Sequence, residues 1–184
     1  MNDAQVRTGT TPFWRFSLHF YRQPGVPDAC IVLQDECSVD VNLFLFLLWL
    51  ADGGQLLSAD DVKKLDDQVR DWRNLTVIPI REARRKLKGA RTLVHPGKQE
   101  AFRNKVKAVE LEAERLQQEA QYAFAQSGPL GERAAPSTAA RGNVSAYERV
   151  MNVTYPASAL DVLLGAFDSR EHGLAAVAPA AARK

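Results

Sequence analysis

Cysteine and histidine are scarce in this chain, two and three residues among 184. Cys30 and Cys37 lie seven apart in one helical stretch, about 10 Å along a helix axis, which is too far to bridge. No disulfide framework is available, and a reducing compartment fits. His19, His95 and His172 fall in a first helix, a loop and a tail, with none at helical spacing from another or beside a cysteine. That argues against a zinc site. No apolar run exceeds nine residues, Leu43 to Ala51, against about 20 needed to span a bilayer. The first residues, "MNDAQVRTGTTPFWRF", lack the apolar core of a signal peptide. An excess of one charge is missing too. The formal net charge of +2 gives no polycation to hold nucleic acid. There is no P-loop, G-x-G-x-x-G or G-x-S-x-G. These absences lead to the expectation of a soluble cytoplasmic protein with no cofactor and no transmembrane span.

What is present is helical periodicity. Thr11-Pro12 supplies a cap and an N1 proline, and Phe13, Phe16 and Phe20 then share one face, with Trp14 and Tyr21 beside it. Pro27 starts a second helix with Cys30, Leu33 and Cys37 in line. Asp40 or Ser38 can cap a third, Val41 to Ala51, which is apolar nearly all round and therefore belongs at the centre of a bundle. Ser58 and Asp61 form a variant capping box for a fourth helix, whose inner stripe is Val62, Leu65, Val69 and Trp72. "NLTVI" reads as a loop before Pro79 and a fifth helix. A long helix over residues 98–126 carries Phe102, Val106, Val109, Ala113, Leu116, Ala120 and Ala123 as a heptad seam. Core packing is the first reading of this seam, and self-association through 102–123 the second. The fold class expected is all-α, a compact helical bundle around the apolar helix at 41–51. The domain organisation expected is a flexible N-terminus (1–10), a helical bundle domain (11–126), a linker (127–142), a C-terminal helical segment (143–168) and a low-complexity tail (169–184). Ser145 and Glu148 read as a capping box within that C-terminal segment.

The stretches "FWRFSLHFYRQ", "ACIVLQD", "DVNLFLFLLWL" and "WRNLTVIPIREARRKLK" carry a family resemblance. The chain resembles a family of small bacterial proteins known as the domain of unknown function twenty-three-ninety. The resemblance covers roughly Pro12 to Glu119. It implies a bacterial, cytosolic, helical domain, and it carries no activity, substrate or cofactor with it.

Three constellations could carry function. Asp28, Asp35 and Asp40, with Glu36 and Asn42 nearby, could hold a metal or act as acid and base. Capping and solvation explain the same residues without chemistry. Arg81, Arg84, Arg85 and Lys88 run along one side of the fifth helix at i, i+3, i+4 and i+7, with Arg73 upstream. This is a candidate face for an acidic partner, a small anion or, more weakly, nucleic acid. Arg103, Lys105 and Lys107, early in the long helix, either oppose its dipole unrewarded or extend that stripe. After the linker, Leu160, Leu163, Leu164 and Phe167 have the spacing of anchors for a partner's groove. They could equally fold back on the bundle. The leading expectation is a non-enzymatic protein-interaction module, adaptor or regulator, with an arginine-rich face for a protein partner, acidic or otherwise. The alternative is a metal-dependent enzyme or anionic small-molecule binder that combines the aspartates with the arginines.

Overall fold

The computed structural model describes residues 11–92, 94–128 and 130–174. The loose N-terminus expected over 1–10 and most of the expected tail, from 175 onward, lie outside the described residues. Among these residues eight α-helices succeed one another: α1 (Pro12–Tyr21), α2 (Val26–Cys37), α3 (Val41–Asp52), α4 (Ala59–Trp72), α5 (Ile78–Leu87), α6 (Pro96–Ala125), α7 (Pro136–Met151) and α8 (Ala157–Leu174). Two short strands, β1 (Gln55–Leu56) and β2 (Glu132–Arg133), pair antiparallel. The protein is an all-α helical bundle with that single two-residue ladder among its described residues.

The fold is built on α3. Every residue from Asn42 to Ala51 except Trp49 is buried, and α1, α2, α4, α6 and α7 pack around it. A large side chain fully removed from water contributes about 1.5–3 kcal/mol. Leu43, Phe44, Phe46, Leu47 and Leu48 are all fully buried here, so this one helix supplies much of the drive to collapse. The capping residues behave as their chemistry requires. Thr11 Oγ1 accepts from Trp14 N at 3.1 Å. Asp40 accepts from the amides of Asn42 and Leu43 at the head of α3. Ser58 and Asp61 form the reciprocal box at the head of α4.

Several expectations fail, each for a physical reason. "NLTVI" is not a loop. Arg73–Val77 form a π turn that joins α4 to α5 without a break. It lies directly before Pro79, whose ring removes a donor and crowds the carbonyl four residues back. A widened turn absorbs that conflict.

The expected linker over 127–142 is half helix, because α7 already begins at Pro136. Ser145 consequently sits inside α7 and caps nothing. The small residues that suggested a linker let α7 approach closely instead. Ala139, Ala140 and Ala146 are buried, and a Cβ on Gly142 would lie 2.3 Å from Leu56 Cδ1. Asn143 ties the junction together. Its amide nitrogen donates to the carbonyls of Leu47 and Gln55, and its oxygen accepts from Leu57 N at 2.7 Å.

The C-terminal segment folds back. Leu163 and Phe167 are fully buried, Leu160 and Leu164 pack partly buried against the core, and α8 lies on α2 and α7. The four anchor candidates therefore pack on their own bundle, Leu163 and Phe167 within its core and Leu160 and Leu164 at its edge. No helix among the described residues is long and apolar enough to cross a membrane.

Candidate functional site

Two long-range polar systems meet on α6, whose inward face is unexpectedly polar. Its buried residues are Gln99, Glu110, Ala113, Gln117, Gln118 and Gln121. The heptad seam faces the other way. Phe102, Val109 and Leu116 are 57%, 55% and 40% exposed, and only Ala113 of the seven is buried. The expectation that the seam packs into the core is thus corrected. Hydrogen-bonding partners, not apolar area, decide which face turns inward.

The first polar system centres on Asp40. Besides capping α3, it accepts from Arg73 at 3.1 Å and from Gln117 Nε2 at 2.7 Å, and its own amide donates to the Tyr147 hydroxyl. Arg73 also reaches Asp66 at 2.7 Å. Burial opposes the Arg73 charge, but the hydrogen bond to Asp66 and the charges of Asp40 and Asp66 overcome it, and the guanidinium is held firmly protonated. Beside this node, Gln118 Nε2 donates to Asn42 Oδ1 at 2.8 Å. Asp40 and Arg73 are therefore structural partners joining α3, the π turn and α6.

The expected acid cluster does not assemble. Asp28 and Asp35 are exposed while Asp40 is buried. Asp35 pairs with Arg85 at 2.7 Å at the surface, and the hydrogen bond from Arg85 lowers its pKa. Among the described residues, no group of three or more His, Cys, Asp or Glu converges as a metal site would require. His19 meets Gln23, and His95 Nδ1 accepts from Gly97 N at the head of α6. The side chain of His172 lies outside the described residues.

The second system fixes α5. None of its residues is fully buried, and Ala83 is exposed. Ion pairs hold the helix instead. Arg81 contacts Glu110 at 3.1 Å and Glu114 at 2.6 Å, and Arg84 grips Glu110 with both Nε and Nη2. Desolvation works against the charge of Glu110, but the hydrogen bonds from Arg84 and Arg81 outweigh it and lower its pKa. At Glu114 burial prevails over the attraction of Arg81, and its pKa rises. The arginine stripe thus answers acids of α6 and α2 rather than standing free.

These pairs form one wall of a cavity of about 660 Å³ between α1, α2, α3, α5 and α6. Its floor and sides are apolar: Trp14, Leu18, Ile31, Val41, Leu45 and Leu111. Leu18, Tyr21, Ile31 and Leu111 are large apolar side chains left exposed, and all four line it. Arg81, Arg84, Arg85 and Lys88 approach from α5, and Arg103 and Lys107 from α6. Six cations therefore face Glu110 and Glu114, the only carboxylates among the described residues that line the cavity. The early basic residues Arg103 and Lys107 do extend the α5 stripe, meeting it across this space. Ser17 Oγ, Arg103 Nε and Gln118 Oε1, on lining residues, lack hydrogen-bond partners among the described residues. Cys30 also contributes to the wall, and burial pushes its thiol up to about 12, so it remains protonated.

Sequence reasoning named the α5 cations but not Trp14, Leu18, Ile31 or Leu111. No local pattern links these residues, because they come from separate helices.

A family model described as "Protein of unknown function" matches residues 12–120. Helices α1 to α5, most of α6, and every lining residue of the cavity fall within that span. No curated protein and no solved structure matches the chain.

Proposed function

The chain belongs to the family described as "Protein of unknown function (DUF2390)", and we propose that it binds an amphipathic anionic small molecule in the α1–α2–α5–α6 cavity. The observation that carries this reading is the pairing of an exposed apolar wall with an excess of cations at one 660 Å³ cavity. Sites for small ligands are typically apolar clefts of about 300–1,000 Å³ with a few placed polar groups. The apolar body of the ligand would lie on Trp14, Ile31, Leu45 and Leu111. A carboxylate or phosphate head would meet Lys88, Arg103 and Lys107, which make no cross-helix ion pair among the described residues. The arginines paired with Glu110 and Glu114 hold that geometry, and the head adds to a charge they leave unbalanced.

This replaces the leading expectation of an arginine-faced adaptor. An adaptor needs cations free on an open face, whereas Arg81, Arg84 and Arg85 are committed to their own acids. The same commitment removes the extended basic stripe that nucleic acid would track.

Trp14 lies in the wall, so its fluorescence reports occupancy. Titration with decanoate should change Trp14 emission saturably, and decanol, of equal length without the charge, should bind at least about tenfold more weakly, the effect of one charge-assisted hydrogen bond. Lys88→Glu combined with Lys107→Glu, both at exposed positions, should abolish that preference without loss of helicity. Equal affinity for acid and alcohol, or a preference that survives the double variant, would overturn the proposal.

A further inference from the structure

We propose, building on the cavity reading above, that the ligand is a long-chain phosphate monoester whose dianionic head sits between Lys88 and Lys107. An ion-pair ladder joins α5 to α6, which run antiparallel. Arg81 meets Glu114, and one turn further along α5 Arg84 meets Glu110. One more turn brings Lys88, at the end of α5, level with Lys107. Both lysines line the cavity. The first two rungs join a cation to a carboxylate. The third sets two ammonium groups at facing positions, where they repel unless an anion lies between them.

The charge at that end of the cavity fits a dianion. Six cations line the cavity, and four acids pair with them: Glu110, Glu114, Asp35 and Glu100. Two positive charges are left over. Lys88 and Lys107 are the two lining cations without an acid partner among the described residues. Arg84 stands one turn before Lys88 and Arg103 one turn before Lys107, so a guanidinium flanks each lysine. A carboxylate head carries one charge and satisfies one ammonium group. A phosphate monoester carries nearly two charges and three strong acceptor oxygens on one phosphorus, enough to bridge both lysines. The apolar wall is one turn from Lys107 on α6, at Leu111, and includes Leu45 and Trp14. An alkyl chain leaving the phosphate therefore runs onto carbon rather than into water.

The test compares decyl phosphate with decanoate on the full chain, read by Trp14 emission. At about pH 8 decyl phosphate should bind about tenfold more tightly, the effect of a second charge-assisted contact. At about pH 5.5, below the second phosphate ionisation, the ratio should fall to within about threefold. Glu114, whose pKa is raised, titrates beneath both ligands, so the ratio isolates the head group. Lys107→Glu fills the third rung from within the protein and should remove the preference for phosphate. Lys86→Glu makes the same charge change at an exposed residue that does not line the cavity, and should keep that preference. Inorganic phosphate at equal concentration should not displace decyl phosphate. Equal affinities at about pH 8, a ratio indifferent to pH, or a preference that survives Lys107→Glu would overturn the dianion while leaving the cavity reading in place. Loss of the preference in Lys86→Glu would refute the placement at the third rung, and displacement by inorganic phosphate would assign the site to the free ion. No response of Trp14 to either ligand would overturn the cavity reading and this inference together.

Discussion

Removing Asp40 tests whether the polar inner face of α6 stabilises the bundle or merely fills space. Two variants separate its roles. Asp40→Ala loses the cap on α3, which costs about 1 kcal/mol. It also takes a buried carboxylate from Arg73 and Gln117. Breaking a buried pair by deleting one partner costs about 3–5 kcal/mol when the remaining charge is stranded. Arg73 keeps Asp66 at 2.7 Å, so its charge is not fully stranded and the loss falls below that range, at about 2–3 kcal/mol. The two contributions share one side chain and couple. The expected total is about 3–4 kcal/mol, or roughly 10 °C in Tm for a chain of this size. Asp40→Asn keeps a good capping oxygen and nearly the same volume while removing the charge, and should cost about 2 kcal/mol. Guanidinium chloride unfolding of both variants beside wild type gives the numbers. An Asp40→Ala loss no larger than the cap alone, about 1 kcal/mol, would refute the idea that the cross-helix contacts contribute.

Two carboxylates on one face of α6 should behave oppositely although both contact Arg81. Glu110 has a lowered folded pKa, so its contribution is present above the unfolded value and is lost as pH falls through the folded one. Glu110→Gln should cost about 2 kcal/mol at neutral pH and flatten the acid limb of the stability profile. Glu114 has a raised folded pKa, so its ionisation reduces stability as pH rises through the ordinary carboxylate range. Glu114→Gln should therefore be neutral or mildly stabilising at neutral pH, as denaturant titrations over pH would read. Gly131 has φ +66°, and a Cβ there would lie 2.2 Å from Leu56 O. Gly131→Ala should cost at least about 2 kcal/mol where the chain enters β2, and a thermal melt within a degree of wild type would contradict that geometry.

Much of this architecture is legible locally. The all-round apolarity of α3, the Thr11, Asp40 and Ser58 caps, and the Phe13, Phe16 and Phe20 stripe each depend on neighbours within a turn or two. What misleads is composition without context. Alanine and glycine over 136–142 look like a linker until α3 is known to need a helix that can come close. The Val and Ala seam of α6 looks like core because apolar periodicity ordinarily marks the buried face. Its polar face goes inward because Asp40, Asn42, Arg81 and Arg84 wait there, and those four residues lie more than twenty positions away in the chain. The cavity is less legible still, because it arises where five helices fail to fill the space between them.

The inversion of α6 also has a consequence for precision. An apolar inner face could slide along its neighbours by a turn at little cost, since Leu against Leu is nearly degenerate. Hydrogen bonds from Gln117 to Asp40 and from Gln118 to Asn42, with two arginines on Glu110, allow one axial position only. Directional contacts of this kind specify register even where they add little net stability. Fixing α6 against α3 and α5 places Arg103, Lys107 and Leu111 at the cavity. The same constraint turns Phe102, Val109 and Leu116 outward and Ala113 inward. One polar inner face therefore sets the geometry of the cavity through which this protein is proposed to act.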